Sequence, residues 1–198
     1  MFLKSEKCLI NLLVLVFYLF SSKVNSTTGE KMDVLNYLSS LNNFSASFIQ
    51  VDGENLSEGM VYIGTNRVRA EYFFPTKILI ILDANKAMYY DYELEEDEFF
   101  NPKNTNAWFF YDIFRDPFFF EDGIIEVNNN EILLEKKGAD NEENNYAIKV
   151  LFEKNPLVLR GIEVVINDDV LKLSIYNHSY NEQFQKDFFK LINPKFLN

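Results

Sequence analysis

Apolar and polar residues alternate along most of the chain from Phe44 onward, and Gly, Asn, Asp and Pro interrupt the alternation at short intervals. This period of two is typical of antiparallel strands that turn one face toward a core. In the first half of the chain it predicts strands at residues 44–51, 59–64, 67–74, 77–82 and 87–92. In the second half it predicts strands at residues 123–128, 131–137, 145–153, 157–167 and 169–177. The segment from Phe188 to Pro194 is expected to add a last strand before a loose end.

Two segments have the helical period instead. Between Lys31 and Leu41 the apolar residues, among them Leu38, recur at the i, i+3, i+4, i+7 spacing of a short amphipathic helix. Residues 105–116 are rich in aromatic side chains and precede Pro117, which predicts a second helix that ends there. Its apolar surface exceeds what one helix face needs, so it is either a core helix or a cover over a cavity. Together the patterns predict a mainly β (α+β) fold, with a curved antiparallel sheet or open half-barrel of about ten to eleven strands and two or three short helices.

The first 26 residues have the composition of a secretory signal peptide. A basic start is followed by an apolar run at residues 9–20 and then by small polar residues. This run is shorter than the ~20 residues that span a bilayer, which disfavours the alternative of an uncleaved membrane anchor. We expect a signal peptide at residues 1–26 and a single exported domain at residues 27–198.

The chain carries a net charge of −11, and the predicted signal peptide takes away three lysines and one glutamate. The remaining chain is therefore more acidic still, which argues against binding to nucleic acid or to anionic membrane surfaces. Cys8, the only cysteine, lies within the predicted signal peptide, so the exported chain can form no disulfide. We expect the exported protein to be a monomer.

Candidate chemistry is sparse along the sequence. His178 is the only histidine, and a lone histidine is more often a turn or surface residue than a catalyst. A zinc site needs several Cys or His ligands, and the phosphate loops and nucleophile elbows of common enzymes have no counterpart. The acidic run at residues 93–98 is interpreted as a solvated hairpin turn that leads into a strand, because no glycine at EF-hand spacing supports a calcium site. We predict no enzyme activity, no cofactor and no metal.

Several short motifs follow one another in a defined order. Phe44, Ala46, Phe48 and Gln50 form a Phe-x-Ala-x-Phe-x-Gln strand. They are followed by Gly59, Val61 and Ile63, by the segment 65–72, by Pro75 and by a hairpin with Asp83, Met88 and Tyr90. Near the end of the chain come residues 159–162 and the segment from Phe189 to Pro194. In order and spacing these motifs resemble the periplasmic outer-membrane lipoprotein carrier family over nearly all of residues 32–194.

The resemblance implies a half-barrel whose inner face stays apolar and whose helices form a cover over the resulting cavity. It implies a periplasmic carrier that shields the acyl chains of lipoproteins and moves them from the inner to the outer membrane. The implied partners are an inner-membrane lipoprotein-releasing transporter and an outer-membrane acceptor. Acyl chains need such a shield because exposing them to water costs about 0.8 kcal/mol per CH₂.

The alternation along residues 67–72 places Val68, Ala70 and Tyr72 on one face, and the two arginines and the glutamate between them on the other. The resemblance makes the apolar face a wall of the cavity. The residues expected at the cavity are Leu38, Val68, Ala70, Tyr72, Met88, Tyr90, Trp108, Phe110 and Phe114.

One departure from the family concerns the way the cover is held closed. Where the family commonly has Arg-Pro, this sequence has Thr65 and Asn66, and in the family that arginine is associated with closing the cover over the empty cavity. Arg67 or Arg69 could replace it, although the alternation points both away from the cavity. We therefore expect the cover to be held mainly by apolar contact and to move when an acyl chain enters.

Other functions stay open at this point. The chain could be a non-catalytic exported β-domain that binds another lipid, or one that acts in adhesion or structure and has a filled core. An exported enzyme that uses scattered carboxylates such as Glu71 and Asp91 is a further alternative. Ala70 and Met88 stand where the family has tryptophan, so the cavity is either wider than usual or filled by the extra phenylalanines.

Overall fold

The computed structural model describes residues 24–139, 144–167 and 169–196. Two α-helices occur in these ranges, α1 (Val24–Ser40) and α2 (Ala107–Arg115). The strands are β1 (Phe44–Asp52), β2 (Asn55–Ile63), β3 (Val68–Phe74), β4 (Ile78–Leu82), β5 (Ala87–Asp91), β6 (Glu96–Phe100), β7 (Ile124–Val127), β8 (Glu131–Ala139), β9 (Asn145–Glu153), β10 (Val158–Ile166) and β11 (Asp169–Ser179). Short 3₁₀ helices span Pro102–Asn104 and Pro194–Phe196. Across the described ranges, no helix is long and apolar enough to cross a membrane.

All the strands form one eleven-stranded antiparallel sheet in the order β6-β5-β4-β3-β2-β1-β11-β10-β9-β8-β7. Consecutive strands pair within each half of the sheet, and the β1–β11 pair joins the two halves. The edge strands β6 and β7 do not pair with each other, so the sheet is open. The predicted mainly β, open antiparallel architecture is confirmed, and β6 is the strand that follows the acidic turn.

Helix α1 begins earlier than the helix predicted from Lys31, and most of the predicted signal peptide lies outside the described residues. The apolar stripe of α1 packs against the sheet, because Val34, Leu38 and Leu41 are buried. Lys31 holds the helix to the segment before β7, since its Nζ donates to the carbonyl oxygen of Gly123 at 2.6 Å. The stripe thus behaves as the helical spacing predicts.

The sheet has two differently covered faces. The inner face packs against α1 and α2 and contains the larger apolar core, including Phe44, Phe48 and Phe152. The outer face of the β2–β5 region carries the C-terminal tail (residues 180–196). A smaller apolar core lies there, formed by Leu79, Ile81, Met88 and Tyr90 with Leu191 of the tail packed against it.

The predicted last strand in the tail is wrong. Residues 186–189 form a turn instead. The carbonyl oxygens of Phe188 and Phe189 accept hydrogen bonds from arginine side chains rather than from the backbone of a neighbouring strand. The aromatic side chains of the tail also pack on one another, with the rings of Phe184 and Phe188 stacked at a centroid distance of 5.0 Å. Side-chain packing therefore replaces a strand ladder in this segment.

Candidate ligand-binding cavity

An apolar cavity of about 210 Å³ lies between α2 and the inner face of the sheet. β1–β4 line one side, β10 and β11 line the other, and α2 covers it. Among the described residues of its wall, three have polar side chains, Gln50, Tyr72 and Asn106. The volume is below the ~300–1,000 Å³ of typical ligand pockets.

The register of three neighbouring strands makes room for the cavity. Ala70 of β3 pairs with Val61 of β2 and with Ile80 of β4, so the three side chains stand in one row on the inner face. The side chain of Ala70 is a single methyl group and fills little of the space beneath α2. The cavity therefore lies over the middle of this row.

A group of aromatic side chains forms the wall at the ends of β1 and β3. Phe48 of β1 lies across Gly59 of β2, where an added Cβ would come within 2.5 Å of the ring, so this close approach requires glycine. Tyr72 meets Phe48 edge to face with ring centroids 5.0 Å apart, and its hydroxyl donates to Gln50 Oε1 at 2.8 Å. Burial raises the pKa of Tyr72 to about 12, so its hydroxyl stays protonated and neutral.

Five of the nine residues expected at the cavity surround this space. Val68, Ala70 and Tyr72 face it from β3, and Phe110 and Phe114 face it from α2. The period of two brings the strand residues together, and the i, i+4 spacing does the same for the two phenylalanines. Their contact with an acyl chain stays a prediction.

Two other expected residues stabilise α2 without lining the cavity. Leu38 is buried between α1 and α2, where it borders a separate groove together with Phe114. Trp108 packs on Phe109 with ring centroids 3.7 Å apart and meets Tyr146 of β9 edge to face. Both residues therefore fix the position of the helices.

The expectation that Met88 and Tyr90 line the cavity is wrong. Tyr89, and not Met88, pairs with Ile80, so Tyr89 is the β5 residue in the row that contains Ala70. Met88 and Tyr90 lie on the outer face with the smaller core beneath the tail. The alternation correctly places Met88 and Tyr90 on one face of β5, but the β4–β5 register turns that face outward and Tyr89 inward.

The two arginines considered as replacements for the family's arginine bind the tail instead. Arg67 pairs with Asp83 at 2.7 Å and donates from Nη1 to the carbonyl oxygen of Phe189 at 2.8 Å. Arg69 donates from Nη1 to the carbonyl oxygen of Phe188 at 2.5 Å. The Cζ of Arg69 lies 4.3 Å from the centroid of the Phe188 ring. Neither arginine therefore holds the cover closed.

Arg115, in the last turn of α2, holds the cover and was missed in the sequence. Its Nη1 donates to Asn42 Oδ1 at 2.6 Å and to the carbonyl oxygens of Gly64 at 2.9 Å and Thr65 at 3.1 Å. Its Nη2 donates to the carbonyl oxygen of Leu41 at 2.6 Å. Hydrogen bonds from Arg115 therefore hold the cover in addition to apolar contact, and a cover held mainly by apolar contact stays a prediction. The sequence offered one signal, a basic residue in the last turn of a helix, which suits the helix dipole.

The polar side of α2 carries an unusual carboxylate. Burial, together with the negative charge of Asp116, raises the pKa of Asp112 to about 6, and the positive charge of Lys103 opposes the rise. Asp112 borders a polar groove on the far side of α2 from the cavity, next to Trp108 and Tyr111. It faces away from the apolar wall and has no place in ligand binding within the cavity.

Catalytic or metal chemistry has little support elsewhere. His178 lies within β11, with its Nε2 2.6 Å from the carbonyl oxygen of Leu159 and its ring 5.8 Å from that of Phe44. Burial lowers the pKa of His178, which favours a neutral, structural side chain. Among the residues that the structure describes, no group of three or more His, Cys, Asp or Glu side chains is placed to hold a metal.

Comparison with known families gives a match over most of the chain. Residues 39–192 match the family model described as outer membrane lipoprotein carrier protein LolA. The matched segment contains every strand of the sheet and α2. The sequence matches no curated protein at a significant level.

Several solved structures are similar to this one at low sequence identity. An uncharacterized conserved protein from Thermus thermophilus has a TM-score of 0.55 at 10% identity, over 85% of this chain and 96% of that chain. An outer membrane lipoprotein-sorting protein domain from Vibrio parahaemolyticus has a TM-score of 0.49 at 8% identity, over 81% of this chain and 95% of that chain. In the MucA/MucB complex from Pseudomonas aeruginosa the values are 0.48 and 7%, over 81% of this chain and 59% of that chain. At 10% identity the likeness to the Thermus thermophilus protein concerns the fold alone.

Proposed function

The chain belongs to the LolA family of outer membrane lipoprotein carrier proteins, and on this premise we propose that it is a non-catalytic carrier that shields the acyl chains of lipoproteins in the periplasm. It takes up its cargo at the inner membrane and releases it at the outer membrane. The observation that carries the proposal is the apolar cavity between β3 and α2.

The wall of the cavity suits hydrocarbon. Burial of an acyl chain against apolar side chains gains roughly 25 cal/mol per Å² of surface removed from water. The cover suits reversible uptake, because α2 is short and faces the cavity with the rings of Phe110 and Phe114. Arg115 binds the loops beside β1 and β2 and so holds the end of α2 in place. An incoming chain can displace the two rings without breaking the sheet.

The remaining parts of the proposal concern export and partners. A signal peptide at residues 1–26 and one exported domain at residues 27–198 would place the protein in the periplasm. The net negative charge of the chain supports docking to basic patches on an inner-membrane lipoprotein-releasing transporter and on an outer-membrane acceptor. Charge complementarity of this kind raises association rates more than affinity, which suits a carrier that must release its cargo.

A substitution that fills the cavity tests directly whether acyl chains bind there. Ala70→Trp places a large ring in the row between Val61 and Ile80, and it should weaken binding of a fluorescent hexadecanoyl probe at least about tenfold by occupying the space. Ser174→Trp adds the same ring to an exposed position on the outer face of β11 and is the matched control. Circular dichroism of both variants verifies that the sheet is intact.

One result would contradict the carrier function, and a second would contradict the assignment of the binding site to this cavity. If the unmodified protein binds no hexadecanoyl probe, the inner face is a filled core and the protein acts as a structural or adhesive β-domain. If Ala70→Trp binds the probe as tightly as Ser174→Trp does, the acyl chain lies elsewhere on the molecule.

A further inference from the structure

One polar pair in the cavity wall has no role in closing or stabilising the cover. Tyr72 and Gln50 lie on the inner face of β3 and β1, toward the strand ends opposite the loops that Arg115 binds. The Tyr72 hydroxyl donates to Gln50 Oε1 at 2.8 Å. Gln50 is also the last residue of the Phe-x-Ala-x-Phe-x-Gln strand.

The hydrogen bond from Tyr72 determines which end of the Gln50 amide remains available. Because Oε1 accepts from Tyr72, the Nε2 group is left with two N–H donors. Nε2 has no hydrogen-bond partner within residues 24–139, 144–167 and 169–196. A donor beside an apolar wall is costly if hydrocarbon covers it, unless the ligand brings an acceptor to the same place.

We propose that Gln50, oriented by Tyr72, binds the carbonyl oxygen of the ester or amide that joins an acyl chain to its cargo, while the hydrocarbon occupies the cavity. This inference rests on the proposed carrier function and adds a specificity-determining residue to it. Gln50 binds the group that joins the acyl chain to its cargo, and Tyr72 is a positioning residue that acts through Gln50.

The electrostatics of the wall favour a neutral carbonyl over a fatty-acid carboxylate. No Lys, Arg or His side chain lines the cavity in the part of the chain that the structure describes. The Tyr72 hydroxyl stays uncharged because burial raises its pKa to about 12. A carboxylate would therefore enter an apolar space with no counter-charge, whereas an ester or amide needs only one donor.

The test compares three C16 probes, methyl palmitate, palmitate and hexadecane, by displacement of an environment-sensitive neutral dye from the full exported chain. Each probe's affinity for a variant is divided by its affinity for the unmodified protein, so the differing water solubilities of the probes cancel. Gln50→Leu should weaken methyl palmitate roughly two- to tenfold, the value of one net hydrogen bond, and should leave hexadecane unchanged or tighter. Tyr72→Phe should give a smaller loss for methyl palmitate only. Ser174→Leu, at an exposed position on the outer face of β11, is the matched control and should not distinguish the probes.

Each outcome decides between the proposals. If Gln50→Leu weakens methyl palmitate and hexadecane equally, or neither, Gln50 does not bind the carbonyl, although the carrier function survives because the chains still bind. If Gln50→Leu selectively weakens palmitate, the ligand group is a carboxylate and the assignment to an ester or amide is overturned. If the unmodified protein binds none of the three probes, the carrier function itself fails. Should Gln50→Leu lower the melting temperature strongly, Gln50→Met gives the same comparison with a more flexible side chain.

Discussion

Both faces of β3 are covered by a segment from outside the sheet, but the two segments pack on the sheet differently. On the outer face the tail packs ring against ring, and Arg69 of the sheet binds the tail's backbone. On the inner face α2 leaves about 210 Å³ free, and Arg115 of the helix binds backbone carbonyls of the loops beside β1 and β2. Arginine–carbonyl bonds fix the position of both segments, so the difference lies in the packing beneath them.

This difference predicts how each segment opens. Three phenylalanines of the tail are half-buried against the sheet and against one another, and Arg67 and Arg69 bind its backbone, so all of these contacts must break before the tail leaves the sheet. A segment above a cavity has already given up part of its packing and opens at a lower free energy. We therefore expect the tail to be a fixed part of the fold and α2 to open locally.

The largest loss of stability should come from Arg69→Met. The substitution removes the hydrogen bond to the carbonyl oxygen of Phe188, the contact with its ring and the ion pair with Glu71 in the same sheet, at a total cost of about 2–4 kcal/mol in the free energy of unfolding. Urea denaturation measures the loss. Arg160→Met, which breaks an exposed ion pair with Glu153, is the control and should cost about 0–1 kcal/mol. Equal losses in the two variants would show that the tail is only loosely attached, and the contrast between the faces would disappear.

The second largest loss of stability should come from Arg115→Met, which removes the hydrogen bonds between α2 and the loops beside β1 and β2. We expect the free energy of unfolding to fall by about 1.5–3 kcal/mol. Amide hydrogen exchange in residues 105–116 should become faster while exchange in β1 stays unchanged, and affinity for the hexadecanoyl probe should rise because opening costs less. In the unmodified protein the bound probe should slow exchange in this segment. If its amides are as protected as those of β1 without any ligand, α2 is a fixed part of the core.

The fold could be predicted from the sequence because it depends on local periodicity. A period of two identifies a strand and separates its two faces, which is why Val68 and Arg69 were placed on opposite faces correctly. Periodicity does not tell which face is inner, since that depends on the register between strands. The error at Met88 arose there, because Ile81 and not Ile80 pairs with it.

Parts of the site could not be predicted because their partners are distant in the chain. Arg115 binds Leu41 and Gly64, which are 74 and 51 residues away, and backbone carbonyls leave no trace in the sequence. The same holds for the tail, whose aromatic residues resemble a strand until Arg67 and Arg69 supply donors to its carbonyls. Sequence periodicity therefore revealed the sheet, and long-range side-chain contacts determined both of its covers.

A smaller, pH-dependent effect should come from Asp112→Asn on the polar side of α2. Because the pKa of Asp112 is raised to about 6 in the folded protein, the folded state holds a proton that the unfolded state has lost between the ordinary aspartate pKa and pH 6. The contribution of Asp112 to stability therefore falls as the pH rises through this interval. Asp112→Asn should be more stable than the unmodified protein by about 1 kcal/mol at pH 7.5, after allowance for partial solvent exposure, and the difference should shrink toward pH 4.

Urea denaturation at both pH values measures this difference, and Asp52→Asn at an exposed position is the control. A difference that is the same at pH 4 and pH 7.5 would mean that Asp112 is solvated like an ordinary surface carboxylate. The polar side of α2 would then be more exposed to solvent than the structure shows.

The smallest effect should come from Thr65→Ala, at the position where the family's arginine is absent. Thr65 contributes only its carbonyl oxygen to Arg115, at 3.1 Å, and its side chain is exposed, so the substitution should change the unfolding free energy by less than about 0.5 kcal/mol. Asn42→Ala removes a side-chain acceptor that lies 2.6 Å from Arg115 Nη1 and should cost about 0.5–1.5 kcal/mol. Hydrogen exchange in α2 should therefore speed up in the order Thr65→Ala, Asn42→Ala, Arg115→Met. If all three variants leave exchange unchanged, apolar contact alone holds α2, and the two covers differ in packing but not in the use of an arginine.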